Sequence, residues 1–487
     1  MSNIIAEFGD FQTPVELASH ICRLLATNGH APRSILEPTC GVGGFLEASS
    51  VVWPGAGLSG VEINPEYVAE AATRLSGRAT IHQGDFFTFN WDAFLEGQKQ
   101  PLLVVGNLPW VTSAKVGAIG GSNLPEKSNF QKQKGFDAIT GKANFDISEW
   151  MLMKMLGWFA GSELTLALLC KTAVARKALV HAWKHSTPIR SAIYRIDAKK
   201  EFDVSVDACL LIVEASAMEV LECPVFSSLD AVEPQQTIGY RQKHLISEVS
   251  TYERCRHLIG ISPFKWRSGV KHDCSKVMEF TEKEGGRLVN NLGEVVDLEG
   301  TYLFPMLKSS CIANGRIAKP RKWMLVPQQA VNESTAHIAK DAPKTWEYLM
   351  RHRSLLEKRG SSIYKDRPPF SIFGVGEYSF ALWKIAISGF YHSLDFRLVT
   401  TYRNKPIVMD DTINFVPCQS QEQADLLLRI LNSELAREFF AAFIFWDAKR
   451  PITTEILQKL NLVTLAERLG EPIPMPEYEG TKELFFA

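Results

Sequence analysis

The sequence places chemically useful side chains at or just after the ends of three short runs that are typical of β-strands. The run Ser34–Glu37 leads into a glycine-rich turn at Cys40–Gly44, where backbone amides can approach a ligand closely. The run Leu58–Ile63 carries Glu62, about 20 positions after the glycines, where a carboxylate can bind ribose hydroxyls. After a third run, the Asp85 carboxylate could accept a hydrogen bond from the exocyclic amine of an adenine. These residue types predict a site for an adenosine-containing ligand, although turns and helix caps use the same residues.

The elements that must position these residues alternate between strands and helices. Apolar patterning predicts strands at Ser34–Glu37, Leu58–Ile63, Thr80–Gln83, Leu102–Gly106, Leu164–Cys170 and Ala208–Glu214, and helices at Pro65–Leu75 and Ile147–Phe159. This alternation predicts an α/β domain with a mostly parallel sheet, whose ligands bind at the carboxyl ends of the strands. The glycine run reads Gly-x-Gly-Gly rather than Gly-x-Gly-x-x-Gly, which argues against a nicotinamide dinucleotide.

Length and composition indicate an ordinary soluble protein with more than one domain. The chain has 487 residues, of which 46% are hydrophobic and 22% charged, and one core rarely grows past about 250–300 residues. Residues 1–220 are predicted to form the first domain and residues 221–240 a linker. Residues 241–487 are predicted to form a mixed α+β domain, with helical patterns at Thr345–Lys358 and Gln421–Phe440.

Charge is distributed unevenly along the chain. The net charge is −1, yet the segment from Arg241 to Asp410 holds 27 lysines and arginines against 17 aspartates and glutamates. A basic segment of this kind indicates a polyanionic partner, although a solvated basic surface explains it equally well.

Cysteine usage and apolar segments indicate where the protein acts. The nine cysteines form no Cys-x-x-Cys pair, so a disulfide framework and a zinc ribbon are not favoured and no metal is expected. The apolar stretches are shorter than the roughly 20 residues that a bilayer requires, and the first residues lack a secretory pattern. We therefore expect a cytoplasmic protein without a membrane segment.

The fourth strand ends in Asn107-Leu108-Pro109-Trp110, and this motif completes a family pattern. The chain resembles the N6-adenine DNA methyltransferases of restriction–modification systems, with the gamma-type motif order and a C-terminal target-recognition domain. Phe8–Pro14 resembles the Thr-Pro element that packs on the methionine part of the cofactor. Lys142–Asp146 resembles the segment whose apolar residue covers the cofactor adenine. The resemblance implies a Rossmann-like catalytic domain followed by a DNA-recognition domain.

The cofactor that the resemblance implies is S-adenosyl-L-methionine. The residues implied to bind it are Thr13, Pro14, Glu37, Pro38, Cys40, Gly41, Gly43, Glu62, Ile63, Asp85, Phe86, Asn107 and Phe145. Methyl transfer would be a direct in-line displacement from sulfonium to nitrogen, which requires neither a cysteine nucleophile nor a metal.

The catalytic residues implied by the resemblance are Asn107, Leu108, Pro109, Trp110 and Phe202. The side-chain oxygen of Asn107 and the carbonyl of Leu108 would accept from the adenine amine and increase its nucleophilicity. Pro109 would stiffen the turn, and Trp110 would stack on an adenine swung out of the duplex. Phe202 would cover the other face of that base, although a buried core phenylalanine explains Phe202 as well.

Leu108 departs from the family pattern, in which most relatives have proline. Asn-Leu-Pro-Tyr is the usual form in rRNA adenine dimethyltransferases, so rRNA is an alternative substrate. The long C-terminal region and the Glu-Pro-Thr-Cys-Gly form favour DNA as the substrate. Protein glutamine methyltransferases share the motif, but they lack a large basic C-terminal domain, which argues against a protein substrate. A catalytically silent DNA-binding subunit is a further alternative, against which the intact Asn107 and Pro109 argue.

Three clusters in the basic region combine cations with aromatic residues or proline, as contacts to a nucleic-acid backbone require. The predicted DNA-binding residues are Lys265, Trp266, Arg267, Lys271, His272, Lys319, Arg321, Lys322, Lys449 and Arg450. Each cluster alone is also typical of a solvated loop. The predicted partners are double-stranded DNA and a separate cognate restriction endonuclease, because no Asp…Glu-x-Lys nuclease cluster is convincing in this chain.

Overall fold

The computed structural model describes residues 11–111, 146–159 and 162–471. The chain divides into two compact units, Met1–Val249 and Ser250–Ala487, which we call the N-terminal and C-terminal units.

The described part of the N-terminal unit alternates helices with strands. Its helices are α1 (Val15–Thr27), α2 (Gly44–Val52), α3 (Pro65–Leu75), α4 (Trp91–Glu96), α5 (Ile147–Leu156), α6 (Thr172–Lys184) and α7 (Ala198–Phe202). Its strands are β1 (Ser34–Glu37), β2 (Gly57–Glu62), β3 (Ala79–Gln83), β4 (Leu102–Asn107), β5 (Leu164–Lys171), β6 (Ile189–Ile196), β7 (Ala208–Ala215), β8 (Glu222–Phe226), β9 (Gln236–Arg241) and β10 (His244–Ile246).

These strands form one sheet in the order β10-β9-β8-β6-β7-β5-β4-β1-β2-β3. The pairings from β3 across to β5 are all parallel, whereas β7 runs antiparallel to both β5 and β6. The chain runs outward from β1 to β2 and β3 on one side, and from β4 to β5 on the other. The point between β1 and β4 is therefore a topological switch point, where open α/β sheets bind ligands. The predicted α/β architecture is confirmed.

The core of the N-terminal unit forms where helices cover the sheet. Ile21 and Leu25 of α1 and Phe45 of α2 are fully buried against strand residues such as Ile35. Their spacing on α1 is that of a helix with one apolar face. This packing fixes the strand ends on which the site is built.

The segment 221–240 is not a linker, which corrects our prediction. Half of its residues form β8 and β9, which pair antiparallel and extend the sheet. Cys223, Val225 and Ile238 are buried in the alternating pattern of strands, whereas Pro234 lies in the turn between them. The proline and small polar residues therefore mark a turn, and the boundary between the units falls after Val249.

The C-terminal unit is mixed α+β, as predicted. Its helices are α8 (Val249–Cys255), α9 (Ser275–Met278), α10 (Ser309–Ala313), α11 (Ile338–Asp341), α12 (Pro343–Arg351), α13 (Arg353–Glu357), α14 (Gln421–Leu431), α15 (Glu434–Ala441), α16 (Thr454–Leu457) and α17 (Leu462–Arg468). Its strands are β11 (Arg267–Ser268), β12 (Glu279–Glu282), β13 (Leu288–Asn290), β14 (Val295–Val296), β15 (Leu303–Leu307), β16 (Lys322–Leu325), β17 (Trp383–Ser388), β18 (Arg397–Val399), β19 (Thr401–Tyr402), β20 (Lys405–Pro406), β21 (Val408–Met409) and β22 (Ile413–Cys418).

The described part of the C-terminal unit has two larger sheets, in the orders β11-β22-β17-β18 and β14-β13-β12-β16-β15-β21, and a two-stranded sheet of β19 and β20. The helical pattern predicted at Gln421–Phe440 is two helices, because Ser433 caps α15 by accepting from the Ala436 amide. No helix among the described residues is long and apolar enough to cross a bilayer.

Candidate functional site

An open cleft lies at the carboxyl ends of β1, β2, β3 and β4, and its empty volume is about 890 Å³. The residues that line it are Phe11, Gln12, Thr13, Glu37, Pro38, Thr39, Cys40, Gly41, Gly44, Val61, Glu62, Ile63, Asn64, Tyr67, Gly84, Asp85, Phe86, Asn107, Pro109 and Met151. Most of the residues predicted to bind a cofactor are thus brought together here.

The glycine-rich turn between β1 and α2 needs its glycines. Gly41 and Gly43 have φ values of 49° and 82°, in the left-handed region that L side chains avoid. A Cβ atom on Gly41 would also lie 2.6 Å from the side-chain oxygen of Gln12. Any side chain at position 41 would therefore strain the turn and displace Gln12 from the cleft wall.

The Glu62 carboxylate at the end of β2 is held by two backbone amides. Its Oε2 accepts from the Gly41 amide and its Oε1 from the Asn64 amide, both at 2.8 Å. An ionised carboxylate has about four acceptor positions, so it can accept from more groups than these two amides. The arrangement presents a carboxylate of fixed orientation next to the glycine turn.

Asp85 and Phe86 follow β3 on the same edge of the sheet. The Asp85 Oδ1 accepts from the Phe87 amide at 2.9 Å, which orients the carboxylate. The Phe86 ring is buried, with its centroid 5.2 Å from that of Trp91. The pair offers a hydrogen-bond acceptor beside an apolar ring, as recognition of a flat heterocycle with an amine requires.

Glu37 is a buried carboxyl group in the cleft wall. It is 3% exposed, and within the described residues its Oε2 has no hydrogen-bond partner. Burial raises the pKa of Glu37 well above its ordinary value, and the nearby Glu62 acts in the same direction. A cationic ligand group beside Glu37 would reverse this effect and favour the ionised form.

Asn107 ends β4 with its amide group oriented by the main chain. Its Nδ2 donates to the Phe11 carbonyl at 2.9 Å, and its buried Oδ1 has no hydrogen-bond partner among the described residues. A buried unsatisfied acceptor costs about 1–3 kcal/mol, so its presence in a cleft indicates a missing donor. The arrangement directs an amide oxygen toward a donor such as an amino group.

Trp110 and Phe202 touch each other edge to face, with ring centroids 5.0 Å apart. The Phe11 ring lies against both of them, at 5.6 Å from Trp110 and 6.3 Å from Phe202. A base stacked between two rings needs them about 7 Å apart, twice the base-stacking distance of about 3.4 Å. Trp110 and Phe202 are therefore adjacent, as the base-stacking prediction requires, but in this structure they fill the space that a base would take.

Some predicted residues lie outside the cleft lining. The predicted residues among the described ones that do not line it are Pro14, Gly43, Leu108, Trp110 and Phe202. Leu108 is buried, and its amide donates to the Leu169 carbonyl at 3.1 Å. Phe145 falls outside the described residues. Sequence reasoning also missed lining residues, of which Gln12 and Thr39 stood inside the motifs and were not assigned. Tyr67 and Met151 carried no signal, because they are ordinary positions of helices α3 and α5.

Two residues predicted to bind DNA, Trp266 and His272, are buried inside the C-terminal unit, which corrects their assignment, and a third, Lys322, is partly exposed and paired with a buried carboxylate. Trp266 is 5% exposed and packs on Phe396, with ring centroids 5.8 Å apart. The Nε2 of His272, which is 7% exposed, lies 3.4 Å from the Glu279 carboxylate, and the Nζ of Lys322 lies 3.2 Å from it. Burial alone would raise the pKa of Glu279, but hydrogen bonds from His272 and Lys308 lower it to about 2.

The other predicted DNA contacts remain on the surface. Lys265, Lys319, Arg321 and Lys449 are exposed, and no ion pair joins them to another described residue. Two others are partly neutralised, since Lys271 lies 3.6 Å from Asp273 and Arg450 lies 3.2 Å from Asp411.

Arg267 lies in a groove of the C-terminal unit together with Lys265. Its guanidinium carbon is 4.5 Å from the centroid of the Tyr378 ring, a cation–π geometry that holds the side chain in place. Gln419 and Gln423 also line this groove, whereas the remaining predicted cations do not. The groove therefore presents cationic and amide groups together with the carboxyl group of Glu377.

The fold and the cleft define an α/β enzyme of the Rossmann-like methyltransferase class. The chain is 44% identical over 470 residues to the Type II methyltransferase M.NspV of Nostoc sp., a match that covers 95% of this chain and 97% of that one. It is 31% identical over 104 residues to the Type II methyltransferase M.CvrRI of a Paramecium bursaria Chlorella virus, which covers 21% of this chain and 25% of the relative. No family model matches the chain.

A solved structure shows the same fold over most of the chain. This is the Type IIL restriction–modification enzyme MmeI in complex with DNA, with a TM-score of 0.55, 12% sequence identity, and coverage of 95% of this chain and 65% of that chain. The identity and coverage shared with M.NspV show the family. The chain belongs to the Type II methyltransferases of restriction–modification systems.

Proposed function

We propose that this protein is a site-specific DNA methyltransferase that transfers a methyl group from S-adenosyl-L-methionine to the N6 amine of adenine. The observation that carries the proposal is the buried Oδ1 of Asn107, an oriented acceptor without a donor at the edge of the cleft. An adenine amine supplies that donor. Family membership favours this proposal over the alternative of an rRNA substrate.

The cleft residues fit the cofactor group by group. Glu62 would accept from the ribose hydroxyls, and Asp85 would accept from the adenine amine beside the Phe86 ring. The Glu37 Oε2, which has no partner among the described residues, suits a cationic group, and the methionine part would lie against the glycine turn. When bound, the cofactor supplies an electrophilic methyl group on a sulfonium.

The residues of this chain would contribute to methyl transfer by positioning the target amine. The Asn107 side chain and the Leu108 carbonyl would engage both hydrogens of the amine, which favours a tetrahedral nitrogen whose lone pair can attack. The duplex must release the adenine for this to happen. We propose that Trp110 and Phe202 then move apart and hold the base between their rings.

The C-terminal unit would bind the duplex through its exposed cations. Lys265, Arg267 and Arg321 are suited to phosphate oxygens, and the Arg267 guanidinium is already held on Tyr378. We propose that the substrate is duplex DNA in the cytoplasm, and that a separate restriction endonuclease cuts the sites that this enzyme leaves unmethylated.

Replacing Lys265 or Arg321 with alanine should weaken duplex binding and reduce its salt dependence. Each lost phosphate contact lowers the slope of log affinity against log salt by about one unit. Fluorescence anisotropy at several salt concentrations measures that slope. Arg353→Ala is the matched control, because Arg353 already forms an ion pair with Glu357. If the slopes of all three variants match that of the wild type, Lys265 and Arg321 face solvent rather than DNA.

The function is tested by incubating the protein with unmethylated duplex DNA of diverse sequence and a tritiated methyl donor. Mass spectrometry of the digested product should show N6-methyladenine. Methyl groups on cytosine would contradict the adenine assignment. Methylation of rRNA without methylation of duplex DNA would establish the alternative substrate.

A further inference from the structure

The side chain of Lys171 joins two segments next to Asn107. Lys171 is the last residue of β5, so it lies at the same sheet edge as the cleft. Its Nζ donates to the Trp110 carbonyl at 3.1 Å and to the Asp146 carboxylate at 2.5 Å. The amine is 23% exposed and the carboxylate 9%, so solvent screens this ion pair less than it screens surface pairs.

Asp146 is itself fixed by its neighbours. Its Oδ1 accepts from the Ser148 amide at 3.3 Å and caps α5. The following residue, Ile147, donates its amide to the Val111 carbonyl at 3.0 Å. The end of the Asn107–Trp110 motif is therefore tied to the start of α5 twice, once through the main chain and once through Lys171.

The beginning of the motif is held by different bonds. The Leu108 amide pairs with the Leu169 carbonyl as an extension of the β4–β5 ladder, and the Asn107 side chain bonds to the Phe11 carbonyl. Proline at position 109 has no amide to donate. Among the contacts of the described residues, the Trp110 carbonyl is thus held by a side chain that no motif of the sequence singles out.

We propose that Lys171 is a positioning residue that holds the Asn107–Trp110 turn in the geometry required for methyl transfer. The proposal rests on the proposed function. Lys171 acts through the Trp110 carbonyl and does not touch the substrate. If the turn relaxes, the Leu108 carbonyl and the Asn107 side chain no longer point at the same amine. A misplacement of about 1 Å can lower a rate about a hundredfold.

The test compares Lys171→Met with Lys177→Met. Both lysines pair with a carboxylate of the α5 region, but Lys177, which is 58% exposed, bonds to Glu149 and not to the motif. We expect Lys171→Met to lower kcat about ten- to a hundredfold, with the KM for DNA and the calorimetric cofactor affinity changed less than about threefold. Lys171→Arg, which keeps a charged donor, should recover most of the rate. Lys177→Met should leave kcat unchanged.

A second measurement does not depend on activity. Hydrogen exchange followed by mass spectrometry should show faster exchange of the Leu108 and Ile147 amides in Lys171→Met than in the wild type or in Lys177→Met. Wild-type kcat and exchange in Lys171→Met would overturn the proposal, as would equal losses in both methionine variants. A wild-type protein that methylates no duplex DNA, while exchange still depends on Lys171, would contradict the proposed function and retain the positioning role.

Discussion

Replacing Asn107 with alanine should lower the rate of methyl transfer a few hundredfold while leaving cofactor and DNA binding largely intact. The substitution removes the Oδ1 acceptor, which has no partner among the described residues and is therefore available to the target amine. Loss of one oriented group at a developing charge costs about 3–4 kcal/mol, which corresponds to a rate reduced by a few hundredfold. Tritiated methyl incorporation into duplex DNA measures the rate, and calorimetry measures cofactor affinity.

The same substitution at Asn90 is the control for Asn107→Ala. Asn90 caps α4 in the same unit and does not line the cleft, so Asn90→Ala should change stability by about 1 kcal/mol and the rate very little. A second variant, Asn107→Asp, keeps an oxygen acceptor but loses the donor to the Phe11 carbonyl. We expect it to be impaired as well, because its carboxylate would face that carbonyl. Full activity of Asn107→Ala would remove Asn107 from the chemistry, whatever the substrate.

The edge of the sheet that carries the cleft could be predicted from the sequence because each of its strands is locally encoded. The segment Leu102–Gly106 is continuously apolar, and Ser34–Glu37 has an apolar centre. Turn residues bound both segments, and the structure places β1 and β4 there within one residue. The parallel arrangement then brings Glu37, Glu62 and Asp85 to one edge without further information. Local pattern and topology were sufficient for this part of the site.

The contacts that sequence reasoning missed are those set by long-range packing. Phe202 contacts Trp110 because α7 leads into β7, which pairs with β5. No local sequence pattern predicts that the two rings touch. In the same way, the contact between buried His272 and Glu279, the first residue of β12, depends on packing that no local pattern predicts. The sequence also does not distinguish Lys171 from other cations at strand ends, because its partners are 61 and 25 residues away in the chain.

Replacing Asp85 with asparagine should weaken cofactor binding about ten- to a hundredfold. The amide oxygen of asparagine can still accept from the Phe87 amide, so the turn after β3 keeps its geometry. The other carboxylate oxygen becomes an amino group, which places a donor against the adenine amine where the wild type has an acceptor. A hydrogen bond to a charged group is worth about 1.5–3 kcal/mol, which gives the expected range of affinities.

The matched control for Asp85→Asn is Asp92→Asn, an exposed carboxylate in the first turn of α4 that does not line the cleft. Titration calorimetry with S-adenosyl-L-methionine measures both variants against the wild type. The loss in Asp85→Asn should appear as a raised KM for the cofactor with a smaller change in kcat, because Asp85 would bind the cofactor before and during transfer alike. Unchanged affinity would place the cofactor adenine elsewhere, and an equal loss in Asp92→Asn would show that net charge, and not the Asp85 acceptor, governs binding.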